Sequence, residues 1–179
     1  MEPGKILVAR SGGNYLIKLM GYVRMTLCAS LHEYIEGIFN TSKDNAGKEP
    51  DLVEKPVNVL VDLYDTEGLD STTLGLLAKL AIHCQEQFGL KPLLFCARPG
   101  IIRELEVMAI DDYFQIITRP CRESCDQTLL HELPEVDIEP ELISDQVLEA
   151  HKLLIKINPA SKNEFIDLIR ILERKSVHP

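Results

Sequence analysis

The chain has 179 residues, 45% of them apolar and 26% charged, with 19 Lys and Arg against 28 Asp and Glu for a formal charge of −9. That is enough apolar material for a packed core and too much for a wholly disordered chain. No window approaches the roughly 18 uncharged apolar residues of a spanning helix, so no membrane insertion is expected. The opening Met1-Glu2-Pro3-Gly4-Lys5 lacks the charged-then-apolar layout of a secretory signal, and a cytoplasmic location is expected.

Apolar alternation predicts a strand over residues 5–10, a turn at Ser11-Gly12-Gly13-Asn14 and a second strand over 15–20, together a hairpin. Gly12-Gly13 is turn chemistry rather than a nucleotide loop, because it joins two strands and lacks the phosphate-loop spacing. Leu27, Leu31, Ile35 and Ile38 recur at helical spacing and predict a helix over 27–39. A polar loop over 40–56 follows. The nearly continuous apolar run over 57–63 reads as a central strand covered on both faces. Asp70 opens a helix that carries Leu74, Leu77, Leu80 and Cys84 to a stop at Gly89. A strand over 92–96, a helix over 99–108 opened by Pro99, and a strand over 113–117 complete a β-β-α-β-α-β-α-β order. This is α/β class, a mixed sheet with parallel pairs joined by helical crossovers.

The first domain therefore spans 1–119. An acidic, Pro-punctuated linker over 120–139 follows, and between Arg122 and Glu149 nine acidic residues stand against Arg122 alone. A nucleic-acid binder needs a basic stripe to neutralise phosphates, and none is present, so the expected partners are proteins. Over 140–179 two amphipathic helices form an αα-hairpin: Ile143, Val147, Ala150, Leu154 and Ile157 line the first, and Asn158-Pro159 breaks it. Ser161-x-x-Glu164 reads as a capping box opening the second, which carries Phe165, Leu168, Ile169 and Leu172. Such a pair must pack on the first domain, on a second copy as a homodimer, or on a partner.

Motifs for catalysis are missing. His32, His83, His131, His151 and His178 are scattered, with no metalloprotease or nucleophile-elbow pattern, and Asp111-Asp112 lies in a turn-like context. Five cysteines argue against a disulfide framework, and Cys28, Cys84 and Cys96 fall within apolar elements as small hydrophobes. Cys121, Cys125 and His131 offer three soft ligands at a spacing that is not standard for zinc and without an obvious fourth, so no metal or cofactor is expected. The distinctive stretch is Asp70-Ser71-Thr72-Thr73, which presents hydroxyls in the first turn of a helix. Asp70 reads as the N-cap. A phosphate attached there would meet unpaired N–H groups and the positive end of the helix dipole, and would add about −1.5 to −2 charges to the surface.

Gly68-Leu69-Asp70-Ser71-Thr72-Thr73-Leu74-Gly75, with the strand before it, Ala97-Arg98-Pro99-Gly100-Ile101-Ile102-Arg103-Glu104-Leu105 and Tyr113-Phe114-Gln115-Ile116 after it, resembles the STAS domain of bacterial anti-sigma factor antagonists. The resemblance covers about residues 5–119 and implies a STAS-type mixed β-sheet flanked by α-helices, to which the hairpin is an addition. It implies a non-enzymatic regulator of transcription without a cofactor. Ser71 would be the serine phosphorylated by an anti-sigma factor that doubles as a serine kinase, with Thr72 a minor acceptor and Asp70 positioning and capping. Asp70, Ser71, Thr72 and Thr73 would then meet the partner: the unphosphorylated protein binds the anti-sigma factor, phosphorylation releases it, and a serine phosphatase restores binding. The signature glycine is replaced by Thr73, whose β-carbon adds bulk at the helix start. The rival expectation is an unswitched STAS interaction subunit of a transporter or multi-protein assembly, with Ser71 and Thr72 as plain helix-cap residues.

Overall fold

The structure, a computed structural model, describes residues 4–40, 56–119, 129–136 and 139–176. The expected loop over 40–56 lies, except at its ends, outside the described residues, as do Cys121, Cys125, His178 and most of the acidic linker.

Strands β1 (Lys5–Ser11) and β2 (Asn14–Val23) form the expected hairpin. Gly12 and Gly13 turn the chain with φ of 54° and 75°, a region that side-chain-bearing residues resist. β3 (Asn58–Asp62) runs parallel to β2, and β5 (Leu93–Phe95) and β6 (Gln115–Ile117) continue the parallel part. The sheet order is β6-β5-β3-β2-β1-β7. The α/β class and the mixed sheet flanked by helices are as the sequence implies, but two strands are additional. β4 (Thr66–Leu69) pairs with the far end of β2 after a register shift at Gly21, and β7 (His131–Glu132) pairs antiparallel with β1. Neither shows alternating hydrophobicity; β4 is anchored by the buried Thr66 hydroxyl, which donates to the Leu19 carbonyl at 2.8 Å.

The expectation that the central strand is covered on both faces is met in part. Ile6, Val8, Ile17, Leu19, Val59, Val61 and Leu94 share one face and are almost inaccessible to solvent. On the other face Ala9, Leu16, Asp62 and Phe95 are buried, but Leu7, Leu60 and Leu93 are only half-buried. There Lys18 Nζ reaches Asp62 Oδ2 at 3.2 Å and Asp65 Oδ2 at 2.5 Å. Burial alone would lower its pKa, but the two carboxylates outweigh it and hold the ammonium above its ordinary value.

Among the described residues there are five α-helices: α1 (Met25–Asn40), α2 (Ser71–Phe88), α3 (Pro99–Val107), α4 (Pro140–Ile157) and α5 (Lys162–Ser176). α2 begins at the Asp70 cap and ends at Gly89, whose left-handed φ of 66° lets Gly89 and Leu90 donate to the carbonyls of Gln85 and Cys84. The α4–α5 hairpin packs on the first part of the chain: Leu154, Phe165 and Ile169 join the same hydrophobic core as the strands. The capping box expected at Ser161 does not form the turn. The Asn158 side chain caps it by accepting from the Ala160 N–H at 3.2 Å, while the Ser161 hydroxyl donates back to the Asn158 carbonyl at 2.7 Å. Asn158 Nδ2 also donates to the Val107 carbonyl at 2.6 Å, tying this turn to the end of α3.

Candidate functional site

The site is built on the first turn of α2. Asp70 has extended backbone angles, and its Oδ1 accepts from the Thr73 N–H and from the Thr73 hydroxyl, each at 2.8 Å. One carboxylate oxygen thus satisfies an orphan donor of the helix terminus and fixes the neighbouring side chain. Thr73 is fully buried, and its hydroxyl also lies 3.4 Å from Cys28 Sγ on α1. Thr72 is 5% exposed and lines a hollow of about 170 Å³ together with Met25, Cys28, Ala29, Gln146 and Val147. Of the four expected site residues, Asp70 and Ser71 are half-buried at the edge, and Thr72 and Thr73 face inward.

Ser71 is the first residue of the helix, and its Oγ lies 2.9 Å from Nε2 of His151 on α4. His151 Nδ1 lies 2.7 Å from the Val147 carbonyl, which can only accept. Nδ1 therefore carries a hydrogen, and in the tautomer this fixes Nε2 is the atom that accepts the Ser71 O–H. The ring is 2% exposed and packs edge-on against Phe165, with centroids 4.9 Å apart. A hydroxyl donating to an imidazole is the pairing that activates nucleophiles, but here the Oγ is engaged inside a helix–helix contact, and Ser71 is not among the residues lining the neighbouring hollow.

Two further contacts extend this one along α2 at steps of four. A β-carbon on Gly75 would fall 2.6 Å from Ala150 Cβ and 2.8 Å from its carbonyl oxygen, so the α2 and α4 backbones meet there. Lys79, 7% exposed, reaches Glu149 Oε1 on α4 at 3.0 Å, Glu36 Oε1 on α1 at 2.6 Å and His32 Nε2 at 3.1 Å. Burial pulls its pKa down, but the carboxylates of Glu36 and Glu149 more than restore it and hold it above the usual lysine value. Ser71, Gly75 and Lys79 thus form one face of α2, met by His151, Ala150 and Glu149 of α4.

Residue reasoning from sequence did not place His151 here. Its spacing from Val147 and Leu154 set it beside the apolar stripe of its helix, the one signal available. The described cysteines are buried and unbridged, as expected of packed thiols, and burial pushes Cys28 and Cys84 up to about 12. Among the described residues no group of three or more His, Cys, Asp or Glu side chains is placed to hold a metal ion, and no helix is long and apolar enough to cross a membrane.

No family model matches the chain, and no curated protein matches it. Among solved structures it is similar to an anti-sigma factor antagonist from Mycobacterium paratuberculosis, at 19% identity over 71% of this chain and 92% of that one, with a TM-score of 0.49.

Proposed function

We propose that this chain is a non-enzymatic, cytoplasmic regulator of the anti-sigma factor antagonist kind, switched by phosphorylation of Ser71. It binds an anti-sigma factor that is also a serine kinase, is released when Ser71 carries a phosphate, and is reset by a serine phosphatase. The observation that carries this reading is the position of Ser71: first residue of an 18-residue helix, beside a carboxylate cap and at the half-exposed edge of the fold. A phosphate at that position meets the positive end of the helix dipole and leaves α2 itself intact. It also changes the local charge by about −1.5 to −2 where a partner approaches. The motif resemblance supports the same assignment. Within the stretch, the partner-facing groups reduce to Asp70 and Ser71, with Thr72 and Thr73 building the helix start behind them.

The second reading, an unswitched interaction subunit of a transporter or multi-protein assembly, is favoured by one observation: the Ser71 hydroxyl already has a partner in His151. Incubation with ATP and the cognate kinase, followed by site-resolved mass spectrometry, separates the two. One phosphate on Ser71, absent from Ser71→Ala, is expected. Equal labelling of Ser71→Ala overturns the site assignment. Equal partner affinity of Ser71→Ala and Ser71→Asp overturns the switch and leaves the structural subunit.

A further inference from the structure

We infer that the face of α2 carrying Ser71 is a docking surface whose resident occupant is this chain's own α4, and that a phosphate on Ser71 and docked α4 exclude each other. The inference deepens the proposed phosphorylation of Ser71 and rests on that reading for its biological meaning, though its geometry stands apart from it. Three contacts in register make the surface: the Ser71 hydroxyl on His151 Nε2, Gly75 against Ala150, and the Lys79 ammonium on the Glu149 carboxylate.

The first contact has no room for a phosphoryl group. Ser71 Oγ and His151 Nε2 are already at hydrogen-bond distance, and the imidazole is fixed from behind by the Val147 carbonyl and from the side by Phe165. Room for the group requires α4 to move away from α2, which opens the close Gly75–Ala150 approach. If Ser71 instead turns its phosphate outward, Nε2 of a 2%-exposed ring loses its hydrogen-bond donor, a penalty on the docked state. A phosphate on Ser71 is a dianion, and Glu149, the acidic residue on this face of α4, is already paired with Lys79 two turns along α2. At the start of α2 the same dianion is favourable. Phosphorylation therefore keeps α2 and weakens the grip on α4. Conversely, docked α4 holds the Ser71 hydroxyl in a bond that a kinase has to break.

The test uses the full-length chain with phosphoserine incorporated at position 71 during translation, compared with the unmodified chain by amide hydrogen exchange. Residues 147–157 of α4 are expected to exchange faster by on the order of tenfold or more, while β2, β3 and the second half of α2 keep their protection. Unchanged or slower exchange in α4 overturns the inference, the slower case meaning that His151 clamps the phosphate. A second variant, Ala150→Leu, blocks the Gly75 contact from the α4 side and leaves α2 untouched. It should release residues 147–157 in the same way with Ser71 unmodified, and retained protection there also overturns the inference. Failure of the partner-switching reading looks different: phosphoserine releases α4, yet the purified anti-sigma partner binds both forms equally.

Discussion

The Thr73 hydroxyl donates to the same Asp70 oxygen that accepts the Thr73 backbone N–H, both at 2.8 Å. The residue that stands where the resembled motif has glycine is therefore part of the cap, and its bulk points into the protein toward Cys28. Removing it by Thr73→Gly takes away a buried hydroxyl bond, opens a void and adds backbone entropy to the unfolded chain. A loss of about 2–3 kcal/mol is expected in urea unfolding. Thr73→Ser, which keeps the hydroxyl, should lose about 1 kcal/mol. A Thr73→Gly variant as stable as the parent would show that the hydroxyl contributes nothing to the cap.

Lys79 connects three helices and supplies an alkaline limit to stability. Its folded pKa is raised, so the unfolded chain releases the proton first as pH increases. The stabilisation is complete below the ordinary value of about 10.5 and is lost as pH rises through the folded one. Lys18 adds to the same window through Asp65 and Asp62. Denaturant midpoints measured from pH 8 upward should fall above about pH 10, and the fall should be shallower in Lys79→Met. An unchanged alkaline slope in that variant would assign the whole effect to Lys18 and other groups.

On the acid side the group to follow is His83. Burial, and next the neighbouring Lys79 charge, lower its pKa; Nδ1 has no hydrogen-bond partner among the described residues, and the ring packs edge-on to Phe39 at 5.1 Å. Because the folded pKa is depressed, the unfolded chain takes up the proton first. Stability is full above about pH 6.5 and declines as pH falls from there toward the folded value. His83→Leu should flatten that part of the stability profile. If the decline between pH 6.5 and pH 5 keeps its slope in the variant, the half-buried imidazole is not its source.

Cys28 and Cys84, with thiols pushed up to about 12 by burial, should resist alkylation in the native protein. Site-resolved mass spectrometry after iodoacetamide treatment at pH 8 should show both unmodified until denaturant is added. Labelling of Cys28 in the native state would mean that the contact between α1 and the start of α2 opens readily.

These sites differ in how far the sequence reveals them, and the difference follows the range of the interaction. The cap is legible because Asp70 and Thr73 are three residues apart, so the chemistry is local. α4 is legible because its apolar period runs over about four turns, and its bounds match the spacing. β4 is not: Thr66-Glu67-Gly68-Leu69 has no alternation, and it becomes a strand through the buried Thr66 bond to Leu19 and a parallel register with the end of β2. β7 is two residues long and owes its existence to a free edge on β1. The Ser71–His151 pair spans 80 positions, and no single-sequence period connects two helices across that separation.

The strongest test of how α2 and α4 fit is at Gly75. Its position in the resembled motif suggests a requirement of the helix start, but it lies in the second turn of α2, where alanine has the better helix propensity by about 1 kcal/mol. What excludes a side chain is Ala150, whose Cβ, carbonyl oxygen and Cα would all lie within 2.9 Å of a β-carbon at position 75. Two of these atoms are backbone and cannot rotate away, so Gly75→Ala should separate the helices and cost about 1–3 kcal/mol despite its better propensity. Ala150→Gly removes one of the three obstructing atoms and loosens α4 at the others. The double variant should therefore recover part of the loss, with a coupling of about 0.5–2 kcal/mol in a double-mutant cycle. Strict additivity would show that α4 is not held against Gly75 in solution, and the separation of Ser71 from His151 would then follow, because the same helix carries both contacts.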